Sequence, residues 1–191
     1  MVEDSIAPEE RKLNRLEEAL WVAQAQSGDA DAFVRLMNRY TKPIAYYLRR
    51  LIPQGDAALD LHQEVWMDAY RGLSSVQIPE AFRAWIYRIA HHKAARFIRE
   101  EVRDQAINDP FPDSDPPDTL IDPTSELQAE AVHKGLELLP AHHREILTLH
   151  YLRDLSTHEL ADVLDCPPGT VKSRLYHARL ALRNVIERKK L

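Results

Sequence analysis

Residues 104–125 read DQAINDPFPDSDPPDTLIDPTS, with five prolines, six aspartates and no lysine or arginine. Proline fixes φ and lacks a backbone N–H, so neither a helix nor a central strand runs through such a segment. Its like charges repel one another and favour extension. The chain must therefore fold as separate units joined by an extended acidic linker. The flanks hold few glycines (five in 191 residues) and no β-branched runs, while Leu, Ala, Arg and Glu are common. That combination predicts an all-α protein. Its parts are a helical extension at 1–21, a helical domain at 22–103, the linker at 104–125 and a second helical domain at 126–191.

Composition removes several classes of function. The single cysteine, Cys166, excludes an intrachain disulfide framework and a Cys-rich zinc site, and it points to a reducing compartment. The first residues, MVEDSIAPEERKLNRLEEAL, contain no apolar signal segment, and no run approaches the roughly 18 apolar residues of a membrane span. A cytoplasmic protein without membrane insertion is expected. His158-Glu159 opens like the zinc motif HExxH, but Asp162 stands at the second histidine's place. His91-His92 and His142-His143 are neighbours in sequence, and neighbours on a helix diverge by about 100°. No metal, no cofactor and no catalytic residues are expected, and with no Gly-rich phosphate loop or Ser/His/Asp order the chain does not read as an enzyme.

A net charge of −5 argues against nucleic acid, but its distribution argues the other way. Residues 83–103 carry six Lys/Arg against two Glu, and residues 169–191 carry seven against one. Salt screens charge beyond about 8 Å, so local patches rather than net charge attract phosphates.

In the first domain Glu9–Ala25 reads as a helix with Leu13, Leu16, Leu20 and Ala23 on its apolar face. Gly28-Asp29 breaks it, and Asp29 or Asp31 is placed to cap the next helix. That helix carries Phe33, Leu36, Met37, Tyr40, Ile44, Tyr47, Leu48 and Leu51, with Pro43 expected to kink or interrupt it. A third helix spans Asp56–Arg71, followed by a loop over Gly72–Ile78. A fourth opens on Pro79 and runs to about Arg103, with Phe82 and Trp85 in its apolar stripe and Tyr87 as the exposed aromatic.

The second domain ends in a helix-turn-helix. Ser156 and Glu159 have the spacing of a capping box, Leu160, Ala161 and Leu164 form a buried face, and Asp165-Cys166-Pro167-Pro168 is the turn. In the following helix Val171, Leu175, Ala178 and Leu182 share one face, and Lys172, Ser173, Arg174, His177, Arg179 and Arg183 share the other. A helix that reads the major groove sets its N-terminal residues on base edges and its basic flanks on phosphates. The candidates are Thr170, Lys172, Ser173, Arg174, His177 and Arg179. A solvated amphipathic helix is the bland alternative.

Leu139–Leu182 (LPAHHREILTLHYLRDLSTHELADVLDCPPGTVKSRLYHARLAL) resembles region 4 of bacterial sigma factors of the extracytoplasmic-function (ECF) group. Gly28-Asp-Ala-Asp-Ala-Phe33 resembles the opening of that family's region 2, Asp60-Leu-His-Gln-Glu-Val-Trp66 its core-polymerase-binding helix, and Phe82-Arg-Ala-Trp-Ile-Tyr-Arg-Ile-Ala90 its promoter-melting segment. The resemblance covers about 22–103 and 126–188. It implies a dissociable, non-enzymatic subunit that binds core RNA polymerase through Asp60, Gln63 and Glu64 and directs initiation at promoter DNA of an alternative, stress or envelope-type regulon. Minus-ten contacts then fall to Arg83, Tyr87, Arg88, His91, His92, Lys93, Arg96 and Arg99, and minus-thirty-five contacts to the recognition helix. An anti-sigma factor is a further partner the family often has. The linker would pass near the polymerase active-site cleft, where its aspartates imitate nucleic-acid charge; a plain solvated tether is the alternative. Asp165 stands where the family commonly has Gly, Pro167 where it commonly has Ser, and His92 and Arg96 fall where it commonly has Asn and Asp.

Two rivals predict different features. A polymerase-independent dimeric regulator has no need of the Asp60-Gln63-Glu64 face. A metal-dependent nucleic-acid enzyme requires ligands this spacing does not supply.

Overall fold

The computed structural model describes residues 8–103, 129–151 and 155–189, and the expected acidic linker lies outside them. The described residues form eight α-helices and no strand. Four build an N-terminal unit: α1 (Pro8–Gln26), α2 (Ala30–Leu51), α3 (Gly55–Gly72) and α4 (Phe82–Arg103). Four build a C-terminal unit: α5 (Ala129–Glu137), α6 (Ala141–Tyr151), α7 (Thr157–Val163) and α8 (Pro168–Lys189).

Asp29 connects the first two helices. Gly28 takes a left-handed φ of +100°, and the Asp29 N–H returns to the Gln24 carbonyl at 3.1 Å, which closes α1 in a Schellman-type turn. The Asp29 side chain then accepts from the Ala32 N–H at 3.1 Å and caps α2. Which face of α1 packs differs from the sequence expectation. Leu13, Leu16 and Leu20 are 66%, 53% and 56% exposed, while Glu18, Ala19 and Val22 are buried. Glu18 tolerates burial because Tyr40 Oη donates to it at 2.6 Å and Arg39 Nη1 lies 3.5 Å away. Burial raises the Glu18 pKa, and Tyr40 and Arg39 act against that rise.

Pro43 does not interrupt α2, which is helical from Ala30 to Leu51. An interior proline costs about 3 kcal/mol. Tyr40, Ile44, Tyr47 and Leu48 around it are all buried. At roughly 1.5–3 kcal/mol for each large side chain, their burial outweighs the proline. The segment after α3 is not plain loop either. Leu73–Ser75 and Pro79–Ala81 are single 3-10 turns, and the second runs directly into α4.

In the C-terminal unit the capping box forms as the sequence predicts. The Glu159 N–H donates to Ser156 Oγ at 3.2 Å, and the Ser156 N–H donates to Glu159 Oε2 at 2.8 Å. Ser156→Ala removes one of these bonds at the start of a seven-residue helix. A loss of about 1 kcal/mol in unfolding free energy is expected, readable as a lower denaturant midpoint with unchanged slope.

The two units pack against each other, α2 on α6 and α4 on α7, and the buried side chains form one contiguous cluster through both. Arg144 of α6 donates to the carbonyls of Arg50, in the last turn of α2, and of Leu139, each at 2.8 Å. A cation there satisfies a helix-end carbonyl and complements the negative end of the helix dipole. Arg50 in turn pairs with Glu137 at 2.8 Å.

Candidate nucleic-acid and polymerase interfaces

Three helices carry the candidate residues. On α3, Asp60, Gln63 and Glu64 are all exposed, as residues three and four apart on one turn-to-turn face should be. Sequence reasoning missed their apolar neighbours. Leu59, Met67 and Tyr70 are 50%, 51% and 70% exposed on the same helix. Phe33, Met37, Trp66, Met67, Tyr70 and Arg71 line an open groove of about 370 Å³ between α2 and α3. The periodicity held the signal: Met67 lies three residues beyond Glu64 and four beyond Gln63, too polar a neighbourhood for core.

The α4 candidates divide into groups that sequence could not separate. Arg88, Arg96 and Arg99 are exposed, Arg96 pairing with Glu100 at 2.8 Å. Lys93 is turned to α3, with Nζ 2.8 Å from both Glu64 and Asp68. These carboxylates hold its pKa above the ordinary lysine value. Tyr87 corrects the expectation of an exposed aromatic. It is 1% exposed, in edge contact with Tyr40 and Tyr47, and it cannot reach a DNA strand in this arrangement. Residue 87 shares its face with Ala84 and Ala94, both buried. Trp85 is the half-buried aromatic, stacked at a tilt on Phe82. Arg83, His91 and His92 face the C-terminal unit. Arg83 Nη2 is 2.8 Å from Glu159, His91 Nδ1 is 2.8 Å from Glu145, and His92 Nε2 is 2.6 Å from Asp165.

On α8, Lys172 is exposed, and Thr170, Ser173, Arg174 and His177 are half-buried along the rim. Pro168 is the first helical residue, with the Val171 N–H bonded to the Pro167 carbonyl at 3.1 Å. It needs no N–H there, so the side-chain cap that Pro167 does not supply is not required for α8 to start. Asp165 adopts φ +47°, the left-handed region that favours glycine. Arg174 Nη1 lies 3.8 Å from Cys166 Sγ, and burial raises the thiol pKa although that cation opposes it. Arg179 is half-buried with its guanidinium 5.4 Å from the centre of the Tyr151 ring, so its stem lies along α6. Burial and the neighbouring His142 and His177 push His143 down to about 4. His143 is therefore neutral at physiological pH. Among the described residues no group of three His, Cys, Asp or Glu is placed to hold a metal ion. No helix among them is long and apolar enough to cross a membrane.

One unit thus carries an acidic helix face beside an apolar groove, and the other a capped helix-turn-helix with a basic second helix. Residues 36–104 match the sigma-70 region 2 family model and residues 129–182 the sigma-70 region 4 model. The chain belongs to the sigma-70 family of RNA polymerase sigma factors, in its ECF group. It is 33% identical over 186 residues to the ECF RNA polymerase sigma-E factor of Escherichia coli strain K12, covering 91% of this chain and 96% of that protein. It is 31% identical over 179 residues to the sigma-E factor of Haemophilus influenzae, covering 87% and 93%. Two solved structures share the fold with TM-scores of 0.62. One is the sigma factor RpoE of Bartonella quintana in complex with the anti-sigma factor NepR, 22% identical and covering 81% of this chain and 96% of that one. The other is CnrH in complex with the cytosolic domain of CnrY, 24% identical and covering 90% and 98%. As a sigma factor the chain directs promoter-specific initiation, and the polymerase it joins performs the chemistry.

Proposed function

We propose that the first domain, 22–103, grips core RNA polymerase through Asp60, Gln63 and Glu64 with the apolar groove beside them, and engages the minus-ten element through α4. The second domain, 126–191, reads the minus-thirty-five duplex through Thr170, Lys172, Ser173, Arg174 and His177. The observation that carries this division is the separation of chemistry: an exposed acidic and apolar face on α3, and an exposed basic start to α8. The polymerase partner must then offer basic and apolar groups, and the DNA partner phosphates. The regulon is an alternative one, of the stress or envelope type, a reading supported by the likeness to ECF sigma-E factors. The protein acts in the cytoplasm, where its polymerase is. An anti-sigma protein covering the α3 groove is the second partner, since the solved relative RpoE is held by one.

Purified core polymerase tests this reading by affinity and by run-off transcription on a promoter pool. Asp60→Lys with Gln63→Lys reverses the sign of the α3 face at two exposed positions. Core affinity is expected to fall roughly tenfold or more with helicity unchanged. Wild-type affinity in that variant overturns the α3 assignment. A wild-type chain that starts no transcript overturns the sigma reading.

A further inference from the structure

We infer that His91 and His92 of α4, with Glu145 of α6 and Asp165 in the helix-turn-helix turn, form a proton-operated clasp that holds the two units closed and keeps the promoter-facing side of α4 away from DNA. The clasp is a matter of geometry in the described chain. Its consequence for promoters rests on the function proposed above.

The contacts are unlike scattered surface pairs. The His91 and Glu145 side chains are only 19% and 16% exposed, and Tyr47 Oη donates to the same Glu145 oxygen at 2.5 Å. One carboxylate of the C-terminal unit is thus gripped by α2 and α4 together. His92 and Asp165 meet at 2.6 Å with 55% and 60% exposure, so this pair adds orientation more than energy. Arg83–Glu159 extends the row along α4 and does not titrate near neutrality. Asp165 is also the one described non-glycine residue with positive φ. A left-handed aspartate is a cost the isolated turn does not need, and its side chain meets His92, itself in a stretch that departs from the family pattern.

The closed state and promoter engagement compete for the same residues. Arg83, His91 and His92, candidates for the minus-ten element, are turned toward α6, α7 and the turn. Elements named minus-ten and minus-thirty-five lie about 25 base pairs apart, or roughly 85 Å along B-DNA at about 3.4 Å each. The 25 residues from 104 to 128 span at most about 80–90 Å when fully drawn out. The chain is long enough to serve both elements, but only with the units apart.

His91 supplies the proton dependence. Burial alone would disfavour its charged form, but the hydrogen bond and charge of Glu145 and the charge of Asp165 outweigh burial and the opposing Arg174, so its pKa is raised above 6.5. Tyr47 and the ring of His92 complete its surroundings. A raised histidine pKa means the attraction is fully present below the open-state value near 6.5 and is lost as pH rises through the closed-state value. Each pH unit between the two values changes the closed-to-open ratio about tenfold.

Small-angle scattering of the free full-length chain tests this without polymerase or DNA, so its failure is separate from failure of the sigma reading. The wild type is expected near the compact radius of gyration at pH 6, roughly 16 Å for one body of this length, and larger by several ångströms at pH 8.5. Glu145→Gln with Asp165→Gly leaves the polymerase and DNA candidates untouched and relieves the left-handed aspartate. This variant is expected to be expanded already at pH 6, with wild-type helicity by circular dichroism. A wild-type radius that does not change with pH, whether compact or expanded, overturns the clasp. So does a folded variant that keeps the wild-type pH profile. If the variant loses helicity, the wild-type profile alone decides.

Discussion

Replacing Lys172 and Arg174 by alanine is expected to weaken binding of the holoenzyme to a promoter duplex by roughly 10- to 100-fold for each side chain. Lys172 is exposed near the start of α8, and Arg174 sits half-buried two residues on beside Cys166. A helix entering the major groove uses that first turn and a half. If Lys172 touches a phosphate, its loss also lowers the slope of affinity against salt by about one ion. Anisotropy titrations with a labelled duplex at several salt concentrations read both effects. Core binding, measured in parallel, should not change, because neither residue lies on the α3 face. A loss of core affinity in either single variant counts against the division of labour between the units.

Phe82→Ala is expected to destabilise the N-terminal unit by about 3–5 kcal/mol. Phe82 is 0% exposed, opens α4, and packs its ring against Tyr40 at 5.6 Å and Trp85 at 5.7 Å. Chemical denaturation followed by tryptophan fluorescence measures the loss. The change is expected in the midpoint with the slope preserved, and polymerase binding should return when the protein is assayed well below its new melting temperature. Persistent loss of activity in the folded variant would instead make Phe82 a direct contact.

Fold class, helix order and the capping box were legible from periodicity and punctuation, because Asp29 and Ser156 act through local backbone chemistry. The buried side of α1 was not. That helix has a leucine stripe and a small-residue stripe, and only the second fits against α2, where Arg39 and Tyr40 receive Glu18. Hydrophobicity alone chooses the leucines; shape and a buried hydrogen bond choose the other face. Pro43 does not break α2 for a related reason, since propensity is local and the burial that overrides it is not. Among candidate site residues, exposure followed the sequence on α3 and at Lys172, although Glu64 also receives Lys93 of α4. It failed on α4, whose histidines, Arg83 and Lys93 are taken up by carboxylates that lie far away in sequence, and whose Tyr87 is core. Polar contacts between units leave no periodic trace for a sequence to display.

Asp165 has a consequence for anyone who selects variants of this protein for heat tolerance. Its left-handed backbone makes Asp165→Gly a favourable local exchange, of the kind that family consensus and thermal screening both reward. The same exchange deletes the partner of His92. A library enriched only for survival on heating should therefore drift toward molecules that are sturdier in the turn and hold the two units together through His91 and Glu145 without the His92 contact.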